Sequence, residues 1–366
     1  MSLTLPSTRD EAWRWFAPAA VEQAAALPAA PRPTSAADMF ADVAGPRLVF
    51  FDGVYQPAES KPGPIAIESL AIDTAHPLGA RAAKENGGGT GWRLMLDAQA
   101  AADPIQIVHW SSGGENHLPG EIVLAEDSAA TVTETFVGRG WANRLTRIDL
   151  ARSARLMRGV RLLHDEGFVS LRDEAQVATG ASLVSTFLGH GTLGSRIDVA
   201  ATLNGEGAFA EVGGALLATG QDRHEAAVVV RHAAPGGVSR QLWRLVAHDR
   251  GTVSAAARVE VARGAQRTDA EQSLRGLLLD RTATVNLKPE LEIFADDVKC
   301  AHGATVGELD ARALFYLASR GIPEGEARAM LTRAFAADAF ARLPEGALAE
   351  GFADEADRWL DRVLAR

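Results

Sequence analysis

Apolar residues follow three different periods along this chain. Over residues 8–27 Trp13, Phe16, Ala20 and Ala24 recur at steps of three or four. That spacing predicts a helix with one apolar face, and Asp10 and Glu11 sit where the positive end of its dipole would lie. Pro28, Pro31 and Pro33 end this helix and mark a linker. Leu48 to Tyr55 follows as a strand–turn–strand signal around Asp52-Gly53. Between residues 90 and 303 or so the period drops to two. Ile197, Val199, Ala201 and Leu203 alternate with Arg196, Asp198 and Thr202 before the turn at Asn204-Gly205. Further turn signals stand at Gly213-Gly214, Pro235-Gly236-Gly237 and Gly264. No helical period intervenes, so the stretch reads as all-β: a sandwich, a barrel or a solenoid. The pattern does not choose among them, and no strict repeat is visible.

After Thr305 the helical period returns. Leu309, Ala313, Leu314 and Leu317 share a face, Gly321 stops that helix, and Pro323 opens the next. Ala327, Met330, Leu331, Ala334 and Phe335 form a second stripe; Leu348, Phe352, Ala356, Trp359 and Val363 form a third. The expected organisation is a helical N-terminal region with its Pro-rich linker over 1–45 and a β core over 46–305. Within that core, 46–100 is a lead-in, and a helical C-terminal domain covers 306–366.

Charge narrows the function classes. Asp and Glu number 47 against 37 Lys and Arg, a formal net charge of −10 over 366 residues. Such a balance argues against a nucleic-acid binder, and the positive charge is scattered arginine, with lysines only at 61, 84, 288 and 299. No uncharged apolar run is long enough to span a membrane, and the N-terminus lacks a signal-peptide pattern. A soluble cytoplasmic protein with no membrane contact is expected. Cys300 is the one cysteine, so no disulfide forms within the chain. A metal-cluster role would have to be shared with another chain.

Several motifs could carry chemistry. The loop Asn86-Gly87-Gly88-Gly89-Thr90-Gly91 lacks the lysine and hydroxyl of an ATP-binding loop and reads as a turn. His109, Glu115 and His117 could bind zinc, but no helix presents them at fixed spacing, and structural roles are preferred. Ser112 and Ser153 stand outside any nucleophile-elbow pattern. A β-solenoid enzyme acting on polysaccharide would need paired carboxylates. Asp296-Asp297 is the best acidic pair, yet neighbours on a strand point to opposite faces, and Tyr is sparse.

The strongest constellation is Asp296-Asp297-Val298-Lys299-Cys300-Ala301-His302. As a strand it places Asp296, Val298, Cys300 and His302 on one face and Asp297, Lys299 and Ala301 on the other. Neither set is a normal core face, because buried Asp, Lys or His without partners is costly. The strand belongs at a rim, at a sheet end or against another chain. Cys300 and His302, two apart on one face, can offer a thiolate and an imidazole to one metal. Lys299 points away, which leaves His302 to modulate the thiol.

The run from Leu291 through Asp296-Asp297-Val298-Lys299-Cys300-Ala301-His302-Gly303 to Gly307 closely resembles the signature of the SufB/SufD family of the SUF iron–sulfur cluster assembly machinery. The resemblance continues through Leu314-Phe315-Tyr316-Leu317 and Ser319-Arg320-Gly321-Ile322. Upstream it takes in Asp222-Arg223-His224, His232, Pro235, Ser239, Gly264 to Ala270, Gln272 and Leu277-Leu278-Leu279. It is strong over 200–335, looser over 105–200 and poor over the first 100 residues. Lacking the ending of the SufB type, the chain reads as the D-type subunit.

The resemblance implies a mainly β chain built on a right-handed parallel β-helix with helical N- and C-terminal regions. It implies a scaffold rather than an enzyme, paired through the β-helix with a SufB paralogue. A SufC ABC-type ATPase would dock on the C-terminal helices and supply the ATP hydrolysis. The family's cysteine and histidine map onto Cys300 and His302, lining a cluster-assembly site shared with the partner chain. Asp296, Asp297, His224 and His232 are supporting residues at most, with a structural role preferred for the two histidines. No cofactor is expected to be tightly bound in the isolated chain; iron or an iron–sulfur cluster would be held transiently in the complex. Because the paralogues share architecture, an isolated chain is also expected to pair with itself through the surface meant for SufB.

Overall fold

The structure is a computed structural model describing residues 4–31, 44–85, 89–98, 100, 103–344 and 346–364. Pro33 and residues 86–88 of the Gly-rich loop lie outside the described residues.

The alternating runs wind into a parallel β-solenoid of about eight turns. Each turn lays one strand on each of two faces. The first face carries β7 (Arg155–Leu162), β9 (Ser182–Gly189), β11 (Phe209–Ala218), β13 (Val238–Ala247), β15 (Thr268–Leu278) and β17 (Val298–Gly307), each parallel to the one before it in that series. The second carries β8 (Glu166–Val177), β10 (Leu193–Leu203), β12 (Arg223–His232), β14 (Thr252–Val261) and β16 (Thr284–Ile293), stacked likewise. The long strands β5 (Ile105–Leu124) and β6 (Ala129–Leu150) span both faces. In β5 a register shift between Ser112 and Glu115, at Gly113-Gly114, moves the inward side chains from Ile105, Ile107 and His109 to Leu118, Ile122 and Leu124.

The repeat is conformational rather than literal. Asp127, Ser153, Gly180, Gly207, Gly236 and Arg267 all adopt left-handed φ between 57° and 67°, at spacings of 26, 27, 27, 29 and 31 residues. One corner of each turn needs that conformation, which glycine adopts freely and Asp or Ser tolerates. The following residue is small and buried in all six cases: Ser128, Ala154, Ala181, Ala208, Gly237 and Thr268.

At its N-terminal end the solenoid is covered. β1 (Arg47–Phe51) runs parallel to β5 and turns back through Asp52-Gly53 onto β2 (Val54–Tyr55), the expected hairpin. β3 (Ile65–Glu68) lies antiparallel to β4 (Gly91–Leu96), which in turn pairs with β5. The C-terminal end differs. Among the described residues β16 is paired with β14 alone and β17 with β15 alone, so one edge of each is open.

Helices cover opposite outer faces. The helix expected over 8–27 is divided into a single 3-10 turn, Glu11–Trp13, and α1 (Pro18–Ala25). Pro18 has no N–H to extend a preceding helix but suits the first turn of a new one. Trp13, Phe16, Val21 and Ala24 still pack together, with Leu78 of α2 (Pro77–Lys84), against Trp141 and Phe168 on the second face. The Pro28 stretch begins as a segment held on β5: Gly114 N–H donates to Leu27 O (2.7 Å) and Ala30 N–H to Ser112 O (2.8 Å).

The C-terminal helices α3 (Ala311–Ser319), α4 (Glu324–Ala337) and α5 (Ala347–Leu364) sit by the first face. The third stripe is buried as read: Phe352, Ala356, Trp359 and Val363 pack on Leu188, Ala215, Leu217 and Val246. The first stripe is not, since α3 has no buried residue. In the second, Ala327 is buried as read, but Met330 and Ala334 are exposed, and α4 buries Thr332 and Ala336 instead.

Most inward side chains of the solenoid are apolar, and one ionic cluster stands among them. Arg158 projects into the lumen between Glu134 (Nε to Oε1 2.9 Å) and Asp173, and all three are buried. Burial opposes ionisation of Glu134, but Arg158 and His109 outweigh it and hold the carboxyl at about 2. His109 lies stacked between Phe50 and Phe136, and burial takes its imidazole down to about 4. Removing the cation would leave carboxylates buried and unpaired. Arg158→Met is therefore expected to lower unfolding stability by about 3–5 kcal/mol in urea titrations. Arg152→Ala, which breaks a solvent-exposed pair with Glu126, should leave the midpoint unchanged. Equal midpoints for the two variants would contradict this account.

Candidate functional site

The signature run lies on the last rung. Its strand starts at Val298, not at Asp296: Asp296 and Asp297 are exposed in the bend between β16 and β17. There Asp297 is held by its backbone, receiving Arg267 N–H at its carbonyl (2.6 Å) and donating its own N–H to Gln266 Oε1 (2.9 Å). The two residues lie in this corner and do not share a strand face with Cys300 and His302.

The unbroken register of β17 on β15 fixes where the remaining side chains point. Ala270 opposes Cys300, Gln272 opposes His302 and Leu274 opposes Ala304. Ala270, Gln272 and Leu274 are buried inward residues, so Cys300, His302 and Ala304 continue the inward columns. Lys299 falls in register with Asp269 on the outer side, away from the thiol, as expected. No further rung covers the inward set. His302 is exposed and Cys300 half-buried, packed beside Val259, Val261, Ala270 and Ala295. Burial pushes the Cys300 thiol up, the Ala270 backbone opposes this, and Asp269 adds to the rise. In the isolated chain the sulfur is thus a neutral thiol at neutral pH rather than a thiolate.

The other residues singled out from the sequence do not converge on this rung and serve elsewhere. His224 is buried on β12 with Nδ1 2.9 Å from Ser195 Oγ, and His232 lies at the far end of the same strand, 2.8 Å from Ser239 Oγ. His109 is in the lumen, whereas His117 is on the outward face of β5, where Asn143 Nδ2 is 3.1 Å from its Nδ1. Glu85, Glu115 and His117 form the one group of metal-type donors among the described residues. Arg81 already occupies it, 2.9 Å from Glu85 and 3.1 Å from Glu115. Burial, with Arg81 and Arg144 nearby, takes His117 down to about 3. Ser112 Oγ donates to Asp52 (2.7 Å), a structural tie between the hairpin and β5.

Residues 114–335 match the family described as SUF system FeS cluster assembly, SufBD core domain. The chain belongs to the SufB/SufD family. It is 32% identical over 281 residues to the iron–sulfur cluster assembly protein SufD of Escherichia coli, an alignment covering 73% of this chain and 63% of that protein. It is 40% identical over 85 residues to SufD of Bacillus subtilis, covering 23% of this chain and 20% of that one. It is 46% identical over 111 residues to the chloroplastic protein ABCI7 of Arabidopsis thaliana, covering 30% of this chain and 23% of that one. The chain thus spans less than two thirds of the length of these relatives.

Within the SufB/SufD core the sequence reading missed three exposed aromatic residues, one just after β16 and two on α3. Phe294 is 59% exposed, Phe315 76% and Tyr316 56%. The signal was present in Leu314-Phe315-Tyr316-Leu317, whose four consecutive large apolar residues exceed what one buried helix face can hold. The raised thiol has a direct readout. Alkylation of Cys300 by iodoacetamide at pH 7.5 should be slower than that of a free cysteine, and its rate should keep rising above the ordinary thiol pKa of about 8.5. A rate already at its plateau at pH 7 would show a thiolate and contradict this assignment.

Proposed function

We propose that this chain is a scaffold subunit for iron–sulfur cluster assembly, completed by a SufB-type paralogue on its open rung and a SufC-type ATPase on its C-terminal helices. The observation that carries the reading is the terminal strand β17: it leaves one backbone edge unpaired and presents Cys300 and His302 beside it. An unpaired parallel edge is a template for another strand. β16 is the poorer template, because Pro289 lacks an N–H, whereas β17 has no proline.

Iron or a nascent cluster is the cargo. Cys300 and His302 would supply two ligands, and the partner would supply the rest, since one cysteine cannot hold a cluster. The exposed Phe315 and Tyr316 of α3 suit the docking of a further subunit, in which ATP hydrolysis would occur. The same open edge would let isolated chains pair with each other. A free cysteine and an acidic surface fit a reducing cytoplasm without nucleic-acid contact. No helix of the described residues is long and apolar enough to cross a membrane. The polysaccharide alternative has little to support it: the carboxylates Asp198 and Glu225 beside Trp13 are engaged by Arg196 rather than free in a cleft.

Anaerobic reconstitution with SufB and SufC tests the reading. His302→Ala should lower cluster yield by about tenfold or more, with the complex still co-purifying and unfolding at the wild-type temperature. Cys300→Ser should lower it as well. Wild-type yield from an intact His302→Ala complex would remove the site.

A further inference from the structure

Two buried glutamines stand below His302 in the same inward column. Val212, Gln241, Gln272 and His302 occupy successive rungs in strict register. Each glutamine reaches across the lumen to the facing strand. Gln241 Nε2 donates to the Arg258 carbonyl (3.0 Å), and Gln272 Nε2 donates to the Glu290 carbonyl (3.4 Å). Both residues are 1% exposed, and the Oε1 of each has no partner. A buried acceptor left unmet costs about 1–3 kcal/mol. With its amide nitrogen anchored on Glu290, Gln272 has little freedom to turn that oxygen elsewhere.

Same-column side chains in neighbouring strands sit one strand spacing apart, about 4.7–4.9 Å. The next position above Gln272 is His302. Of the inward groups on that rung, Ala304 and Val306 carry no donor and the Cys300 thiol is a weak one, which leaves the imidazole N–H. Histidines that bind metal almost always donate their second ring N–H to an oxygen acceptor, which fixes the tautomer and the ring plane. We infer that Gln272 is a positioning residue for His302: its Oε1 accepts one ring N–H and leaves the other nitrogen's lone pair directed to iron at the partner interface. The inference rests on the proposed role of His302. It assigns Gln272 a part that packing alone would not require, since an apolar side chain would fill the same column as Val212 does two rungs below.

The test uses the reconstituted three-subunit complex with four forms of this chain: wild type, Gln272→Met, Gln272→Glu and His302→Ala. Cluster yield is read by absorbance, and imidazole nitrogen coupling to the reduced cluster by pulsed EPR. Gln272→Met should lower yield about tenfold and weaken or scatter the nitrogen coupling. Gln272→Glu keeps the acceptor, so it should retain yield while shifting the coupling of the remote ring nitrogen. Wild-type yield and coupling in Gln272→Met, with both lost in His302→Ala, would overturn the role of Gln272 and leave that of His302 standing. Equal loss of yield in both Gln272 variants with unchanged coupling would show a packing role and also overturn it. Wild-type yield in His302→Ala, or no imidazole nitrogen coupling in the wild-type complex, would instead fail the assignment of His302 itself.

Discussion

Every rung of a parallel solenoid relies on its two neighbours for backbone hydrogen bonds, and the rest of this molecule follows from how the first and last rungs meet that need. Interior rungs have no choice: β7 to β15 are paired on both edges, and their alternation of inward and outward residues cannot slip without burying charge. At the first rung the chain solves the problem itself, turning antiparallel through β1–β2 and β3–β4 to occupy the edge. At the last rung nothing in the described chain does so. On the proposed reading the open edges of β16 and β17 are kept for a partner, because such edges otherwise invite aggregation.

The lumen shows how far that scaffold can be loaded with polar groups. Arg158 is paired with both Glu134 and Asp173 inside the lumen, although the second oxygen of Asp173 has no partner. The glutamines toward the C-terminal end are half-satisfied, each with a bonded nitrogen and an idle oxygen. What sets Gln272 apart is its place directly beneath the open rung, where a further group can reach its idle oxygen. The helices add a division of labour. α1 and α2 seal the outer side of one sheet and α5 that of the other, while α3 is left with no buried residue.

Much of this was legible in the sequence, and the limits are physical. Period two at Ile197, Val199, Ala201 and Leu203 identified inward positions correctly, because a half-buried strand has no other way to sort its side chains. Solenoid topology was not readable from the pattern, since the repeated unit is a left-handed corner satisfied by Asp127, Ser153, Gly180, Gly207, Gly236 or Arg267 alike. Composition at those corners varies while φ does not. The opening of β17 at Val298 was placed two residues early, because Asp296 and Asp297 alternate as well as strand residues do. Only the turn contacts with Arg267 and Gln266 distinguish them. The helical stripe at Leu314 and Leu317 was real but its burial was not: period tells which face is apolar, never what covers it. Cys300 and His302 stood out in the sequence because polar residues alternating on both faces of a strand conflict with a closed core.

On the proposed reading, the same placement would keep the site quiet in the isolated chain. Burial keeps the Cys300 sulfur protonated, and a protonated thiol is a poor nucleophile and a poor ligand. Slow reaction protects the one cysteine from oxidation while the rung is uncovered. A metal ion brought to the sulfur reverses the balance, since coordination displaces the proton outright. On the proposed reading, assembly and activation are therefore one event. The strand that satisfies the open edge of β17 also brings the remaining ligands to the rung. The cation they hold together turns Cys300 from a half-buried thiol into a thiolate beside His302. A scaffold built this way needs no switch of its own, because the same unpaired edge that demands a partner withholds the chemistry until the partner arrives.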